Sequence, residues 1–434
     1  MKLNKLTTLI MVAMVFGIIV GYACNTLATS PAQTKEIASY FSILTDIFLR
    51  LIKMIIAPLI FATLVSGLAG MGDSNAVGRI GAKALGWFVG ASLCSLALGL
   101  VFANLLHPGL NLGIPLPEVG SSVGLKTSAL NLKDFITHVF PKNIFEAMAA
   151  NEILQILVFA VFFGVALGHI HNQSARSLVK TLEEVGHVML KVTDYVMRFA
   201  PVGVFGAVAG IITTQGLGML MVFGKLLISF YVTLGALWLV LILAGYFVLG
   251  KEVFRLIKLI RSPMLLGFST ASSESAYPKL MEQLEKFGIR DRITGFVLPL
   301  GYSFNLDGSM IYTTFAALFV AQAYGIELSI TTQIAMLLVL MISSKGIAGV
   351  PRASLVVVAA VLPMFNLPEA GLLLVLGIDH FLDMGRTATN VLGNAIATAV
   401  VAKWENAIDK VDNSVAEADE ALPIADDLVM TKAS

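Results

Sequence analysis

Residues 372–402 read LLLVLGIDHFLDMGRTATNVLGNAIATAVVA, long and apolar enough to cross a bilayer as a helix, which takes about 20 residues. Yet Asp379, Asp383, Arg386, Asn390 and Asn394 stand within it. At about 100° per residue, these positions fall within an arc of roughly 80° on one helical face. A charge at bilayer depth costs about 2.5–3.5 kcal/mol on insertion scales, so such residues face a protein interior or a watery cavity. A structural Asp–Arg pair that locks helices together needs two such residues, and this face carries five. One cation flanked by two anions suits a zwitterionic or anionic solute.

The surrounding chain has the composition of a membrane protein. Of its 434 residues, 57% are hydrophobic and 13% charged, against about a quarter charged in soluble proteins. Apolar runs separated by short polar joints recur along most of its length, which predicts a polytopic helical membrane protein. The net charge of +1 gives no reason to expect nucleic acid. Cys24 and Cys94 both lie in apolar segments, so no disulfide framework is implied. The start, MKLNKLTTLIMVAMVFGIIVGYAC, has the look of a signal peptide. Its apolar run is long, however, and no clear small-x-small cleavage site follows, which favours a retained first helix. Lys2 and Lys5 then place the N-terminus in the cytoplasm.

Helices are expected over 6–22, 40–69 (with Pro58 as a kink), 83–106, 153–167, 182–213 (with Pro201 inside) and 225–250. Residues 108–151 are a candidate extramembrane loop. His169 and His171 form the one candidate metal pair, but two histidines without further ligands read as a solvated joint. The cluster Lys251, Arg255, Lys258 and Arg261 reads as cytoplasmic, which returns the chain to its starting side after six helices. From there the pattern changes. MLLGFSTASSESAY (264–277) is an apolar segment interrupted by hydroxyl residues and Glu274. A long helix expected over 293–324 is broken by SFNLDGS (303–309), and SSKGIAGVPRAS (343–354) interrupts another apolar run. The order is interrupted hairpin, polar helix, interrupted hairpin, polar helix. Paired broken segments of this kind point to a transporter site near the midplane. The segment from Glu405 onward, acidic throughout, is expected to be a disordered cytoplasmic tail.

SSES before Pro278, NLDG at 305–308, GVP at 349–351 and DMGRTATNV at 383–391 resemble the dicarboxylate/amino acid:cation symporter family. That family includes bacterial glutamate/aspartate symporters, C4-dicarboxylate carriers and animal excitatory amino acid transporters. The resemblance covers almost the whole chain. It implies eight transmembrane helices plus two re-entrant helical hairpins, assembled as a homotrimer in the bacterial cytoplasmic (inner) membrane with both termini inside. It further implies a scaffold of helices one and two (1–82) and of helices four and five with the preceding loop (109–216). The mobile transport domain comprises helix three (83–108) and a core of helix six, both hairpins and the two polar helices (217–408), followed by the tail (409–434).

Carried over by motif, Arg386 matches the residue that holds a substrate side-chain carboxylate, and Asp383 the one that holds its ammonium. Asn390 and Ser309 match contacts to the main-chain carboxylate, Ser273 and Val350 hairpin-tip contacts, and Thr387 lies beside Arg386. The chemistry agrees, because a guanidinium fork suits a carboxylate and a buried aspartate beside the solute needs a cation. No cofactor is expected, and the coupling ion is the open question. Sodium-coupled relatives carry an aspartate at the position of Asn394, and a Tyr, a Thr and a Ser at Phe88, Ala91 and Ser92. They also have methionine in place of Leu306, and commonly glycine in place of Arg352. Hard cations want oxygen ligands, and the lost carboxylate, phenol and hydroxyl favour protons over sodium. Burial disfavours an ionised carboxylate, which makes Glu274 and Asp307 acceptor candidates, with Asn305 and Asn394 beside them.

Two substrate readings stand side by side. Asp383 favours glutamate or aspartate, because a C4-dicarboxylate brings no ammonium to neutralise it. The NLDG and SSES wording resembles C4-dicarboxylate carriers. An intramembrane enzyme carries very little weight: Ser269 in GFSTA lacks a G-x-S-x-G elbow, and His380 lies off the polar stripe by about 100°.

Overall fold

The computed structural model describes residues 5–69, 74–110, 112, 116–118, 137, 139–170, 173–218, 223–344 and 353–409. Val350 and Arg352, His171 and the chain from 410 onward lie outside them. The described residues are helical, apart from turns, irregular joints and one antiparallel bridge between Ile289 and Ile408. In order they form α1 (Lys5–Leu27), α2 (Pro31–Ala69), α3 (Ser74–Leu106), α4 (Ile144–Ala150), α5 (Ile153–His169), α6 (Gln173–Met197), α7 (Ala200–Gln215) and α8 (Gly224–Leu249). There follow α9 (Glu252–Leu259), α10 (Arg261–Thr270), α11 (Ser273–Lys286), α12 (Asp291–Phe304), α13 (Asp307–Ala323), α14 (Ile330–Ser344), α15 (Ala353–Val361), α16 (Leu372–Leu376) and α17 (Asp379–Trp404).

Among the described residues, α1, α2, α3 and α8 are long and apolar enough to cross a membrane, and α6 with α7 passes that test as a bent pair. Their outer faces are apolar. Val12, Phe16 and Ile19 of α1 are each more than half exposed, as are Ile228, Leu239 and Phe247 of α8. Such stripes are a liability in water and the natural surface toward lipid. This is an all-α polytopic membrane protein.

Small residues set the closest helix contacts. Gly203 and Gly206 of α7 lie against α2, where an added Cβ would stand 2.6 Å from Phe48 and from the Phe41 carbonyl oxygen. Apolar side chains gain little by leaving lipid for protein, so close approach through small residues carries helix association here. The long helix expected over 182–213 is in fact two helices, α6 and α7, bent by 52°. The cause is Pro201. Its ring clashes with the carbonyl four residues back, which belongs to Met197, the last residue of α6. Pro201 itself fits the first turn of α7, where its missing N–H has no intrahelical partner to lose. By contrast, α2 is one helix across Pro58. The expected break at 303–309 narrows to Asn305 and Leu306, between α12 and α13.

Helix α17 runs through the middle of its neighbours, in contact with α3, α8, α10, α11, α12 and α13. It starts later than its apolar run, because the chain breaks at Gly377 and Ile378 after the short α16. From Thr387 to Ala402 every residue is buried. A helix buried all round belongs to a bundle core.

The segment beyond α17 departs from the expected disorder, since residues 405–409 are docked. Glu405 accepts hydrogen bonds from Arg79 Nη2 at 2.8 Å and Lys83 Nζ at 2.7 Å, both on α3. Trp87 and Trp404 stack edge-on beside them, with centroids 5.9 Å apart. Arg290 N–H donates to the Ala407 carbonyl at 3.1 Å, and the Asp409 N–H to that of Gly288 at 2.8 Å.

The Arg79 hydrogen bond, with Lys83, holds the Glu405 carboxyl down to about 2 against an ordinary carboxylate value of 4.5. A folded-state value below the unfolded one means stability that is present above about pH 4.5 and lost as pH falls toward 2. Arg79 is half exposed, which limits the contribution to about 1 kcal/mol. Glu405→Gln is therefore expected to lower the melting temperature in detergent by about 1 °C at pH 7, and to match wild type near pH 2. An equal gap at both pH values would show that the charge pairing is not the cause.

Candidate functional site

The polar face of α17 meets α13 on one side and the second hairpin limb, α15, on the other. Asp383 and Arg386 lie one turn apart and pair directly, Nη2 to Oδ1 at 2.5 Å and Nε to Oδ1 at 2.7 Å, with side chains 15% and 16% exposed. Thr387 Oγ1 donates to the same carboxylate at 3.1 Å. The guanidinium is held from two further directions. Its Nη1 donates to Ser354 Oγ of α15 at 2.6 Å, and its centre stands 5.8 Å from the ring centroid of Tyr312 on α13. The Tyr312 hydroxyl donates a short hydrogen bond to Asp379 in the first turn of α17. The sequence reading missed both Tyr312 and Ser354.

One turn further, Asn390 ties α17 to the start of α13. Its Oδ1 accepts from the Gly308 N–H at 2.8 Å and the Ser309 N–H at 3.4 Å, and its Nδ2 donates to Ser309 Oγ at 3.2 Å. The amide keeps a second N–H for a ligand acceptor. Arg386, Asp383, Thr387, Asn390 and Ser309 are thus brought together. They place a guanidinium, a carboxylate, an amide and hydroxyls side by side.

Beneath this level lies a second polar cluster at the α12–α13 break. Asn305 and Asp307 are fully buried and Asn394 is 1% exposed. Gly393 is what lets α17 approach them, because a Cβ there would strike the Asp307 carboxylate. Gly301 makes the same allowance for the Asn394 amide oxygen. Neither side-chain atom of Asn305, nor Asn394 Oδ1, has a hydrogen-bond partner among the described residues. Buried amides of this kind call for a partner, and these oxygens with Asp307 are the donor set able to hold a small cation or exchange a proton. Phe88, Ala91 and Ser92 of α3 are all buried, and Phe88 is 3.5 Å from a Cβ placed on Gly301. No group of three or more His, Cys, Asp or Glu suited to a metal ion occurs among the described residues.

The first hairpin tip closes tightly. Ala271 takes the left-handed conformation (φ 49°), Ser272 caps α11, and Thr270 Oγ1 and Ser275 Oγ are hydrogen-bonded at 2.8 Å across the turn. The Ser273 carbonyl accepts from the Tyr302 hydroxyl at 3.1 Å, which fixes the tip on α12. Glu274 turns toward α2, where its carboxylate pairs with Lys53 Nζ at 3.4 Å and its side chain is 28% exposed. Ser269 donates to the Leu265 carbonyl at 2.7 Å, the ordinary bond of a helical serine. His380 is half-buried with its ring edge-on to Phe381, 6.4 Å away.

Residues 6–404 match the model of the sodium:dicarboxylate symporter family. The chain is 40% identical over 433 residues to a C4-dicarboxylate transport protein of Acinetobacter baylyi, covering 96% of each chain. It is 40% identical over 412 residues to the proton/glutamate-aspartate symporter of Escherichia coli, covering 92% of this chain and 93% of that one. It is 38% identical over 402 residues to a proton/sodium-glutamate symport protein of Bacillus caldotenax, covering 91% and 93%.

Proposed function

The chain belongs to the sodium:dicarboxylate symporter family, and from that membership we propose that it imports acidic amino acids, glutamate or aspartate, by secondary active symport. It is a transporter and not an enzyme. The observation that carries the substrate reading is the direct Asp383–Arg386 pair. An amino acid with an acidic side chain brings one charge for each partner: its carboxylate replaces Asp383 at the guanidinium, and its ammonium replaces Arg386 at the aspartate. The exchange leaves no buried charge without a partner, and one left over would cost several kcal/mol. Asn390 and Ser309 then receive the main-chain carboxylate. A C4-dicarboxylate competes with Asp383 for Arg386 and leaves an anion facing an anion. The second reading, a C4-dicarboxylate carrier, draws support from relatives such as the Acinetobacter baylyi protein.

The rest of the reading follows the family resemblance: a homotrimer in the inner membrane with both termini cytoplasmic, and a transport domain built around α17 that moves against a scaffold of α1, α2, α5, α6 and α7. The contacts of α2 with α5, α6 and α7, and of α17 with α3, α8 and α10–α13, support that division. Protons are the proposed coupling ion, with Asp307 as the acceptor and sodium as the alternative.

The discriminating experiment is uptake of labelled aspartate, glutamate and succinate into proteoliposomes, for wild type and Asp383→Ser. Wild type is expected to concentrate aspartate or glutamate, and the variant to lose amino acid uptake by about 100-fold or more, the effect of roughly 3 kcal/mol. Succinate uptake is expected to change far less. Equal losses for both solutes, or a wild type that moves succinate and ignores aspartate, would overturn the amino acid reading.

A further inference from the structure

Where the span α8 ends, the chain makes a surface that the transport site does not use. Gly250 (φ 64°) turns it, its N–H donating to the Tyr246 carbonyl at 2.8 Å, and α9 begins at Glu252. Since α8 crosses the membrane, α9 lies at the depth of the lipid headgroups, whichever side that is. One side of α9 is committed to the protein: Val253, Leu256 and Ile260 are fully buried and fall within about 60° of one another. On the opposite side Lys251, Phe254 and Lys258 fall within about 60° as well, and Arg261 is exposed at the start of α10.

These charges are not engaged elsewhere. Lys251, Lys258 and Arg261 form no ion pair among the described residues, whereas Glu252 pairs with Arg255 at 3.4 Å. Arg255 also lies 5.1 Å over the Phe287 ring and donates to the Lys286 and Phe287 carbonyls, so it serves the fold. Next to the free cations stands an aromatic cluster. Phe254 is 60% exposed with its ring 6.0 Å from Tyr246, and Phe247 is 78% exposed on the lipid side of α8. Cations beside exposed aromatic rings at the end of a span match a headgroup phosphate above and acyl carbons below. A soluble anion would find no use for the rings.

We infer that Lys251, Lys258 and Arg261, with Phe254 beneath them, form a binding site for the headgroup of an anionic phospholipid. Each cation at an anionic membrane surface strengthens association by about fivefold, so the three together make a preference of up to about 100-fold over a zwitterionic lipid. The full chain in neutral detergent is titrated with phosphatidylglycerol or phosphatidylcholine, and retained lipid is counted by native mass spectrometry. The expected result is preferential retention of phosphatidylglycerol that weakens with salt and falls to near parity in Lys251→Gln/Lys258→Gln/Arg261→Gln. The three residues are exposed and belong to neither polar cluster of the transport site, so uptake in phosphatidylcholine vesicles should be unchanged and serves as the folding control. Equal retention of the two lipids by wild type would overturn the proposal, as would an undiminished preference in the triple variant. So would selectivity that appears only once the acidic residues beyond 409 are neutralised, because the chain's own C-terminal stretch would then be the occupant.

Discussion

Arg386→Cys is expected to abolish aspartate and glutamate uptake while leaving room for small neutral amino acids. In the structure this guanidinium is the only cation in contact with Asp383 among the described residues, and Ser354 and the Tyr312 ring hold it in place. A substrate side-chain carboxylate entering the variant site is desolvated without a counter-charge, at a cost of about 3–5 kcal/mol. That is a loss of roughly 100-fold to several thousand-fold in affinity. A neutral amino acid has no such carboxylate. Its ammonium still finds Asp383 and its main-chain carboxylate still finds Asn390 and Ser309, so serine or alanine is expected to bind where aspartate does not. Uptake and exchange of labelled aspartate and serine in proteoliposomes measure both halves. Undiminished aspartate uptake by the variant would remove Arg386 from the substrate site.

The residues of this site differ in how openly the sequence displays them. The face of α17 was legible because its period is local: Asp379, Asp383, Arg386, Asn390 and Asn394 repeat at helical spacing within one apolar run. The hairpin break at Ala271 and the α12–α13 break were legible because small hydroxyl, Gly and Asn residues interrupt apolar runs. Tyr312 and Ser354 gave no such signal. Tyr312 sits on α13 among apolar neighbours, 67 residues from the Asp379 it bonds, and Ser354 is 32 residues from Arg386. Only the packing of α13 against α17, and the Arg386–Ser354 hydrogen bond, reveal them. The docking of 405–409 was hidden for a different reason. It depends on backbone groups of Gly288, Arg290 and Ala407, which every sequence contains, and on Glu405 meeting Arg79 and Lys83, more than 300 residues earlier in the chain. Pro201 was visible, yet whether a proline kinks a helix or ends it depends on what packs around it, and α2 runs on through Pro58.

Concentrative uptake is expected to follow an inward proton gradient, to persist in sodium-free buffer, and to be lost in Asp307→Asn. A symported proton needs an acceptor that is neutral on one leg of the cycle and charged on the other. Asp307 is fully buried at the start of α13, against Gly393 of the helix that carries Arg386, so a change in its charge is felt where the solute binds. Glu274, the other carboxylate of the hairpin region, pairs instead with Lys53 of α2 at 3.4 Å. Sodium would need several oxygens at close range. Near Asp307 stand the amides of Asn305 and Asn394, while Phe88, beside Gly301, offers no oxygen. Backbone carbonyls at the α12–α13 break are the counterweight, and the Bacillus caldotenax relative carries both ions in its name. Asparagine copies the shape of a protonated aspartate but never releases a proton. Asp307→Asn should therefore still exchange labelled for unlabelled aspartate while failing to accumulate it against a gradient. Accumulation by wild type that requires sodium and ignores a pH gradient would defeat the proton assignment, and would leave Arg386 and Asp383 untouched as the substrate site.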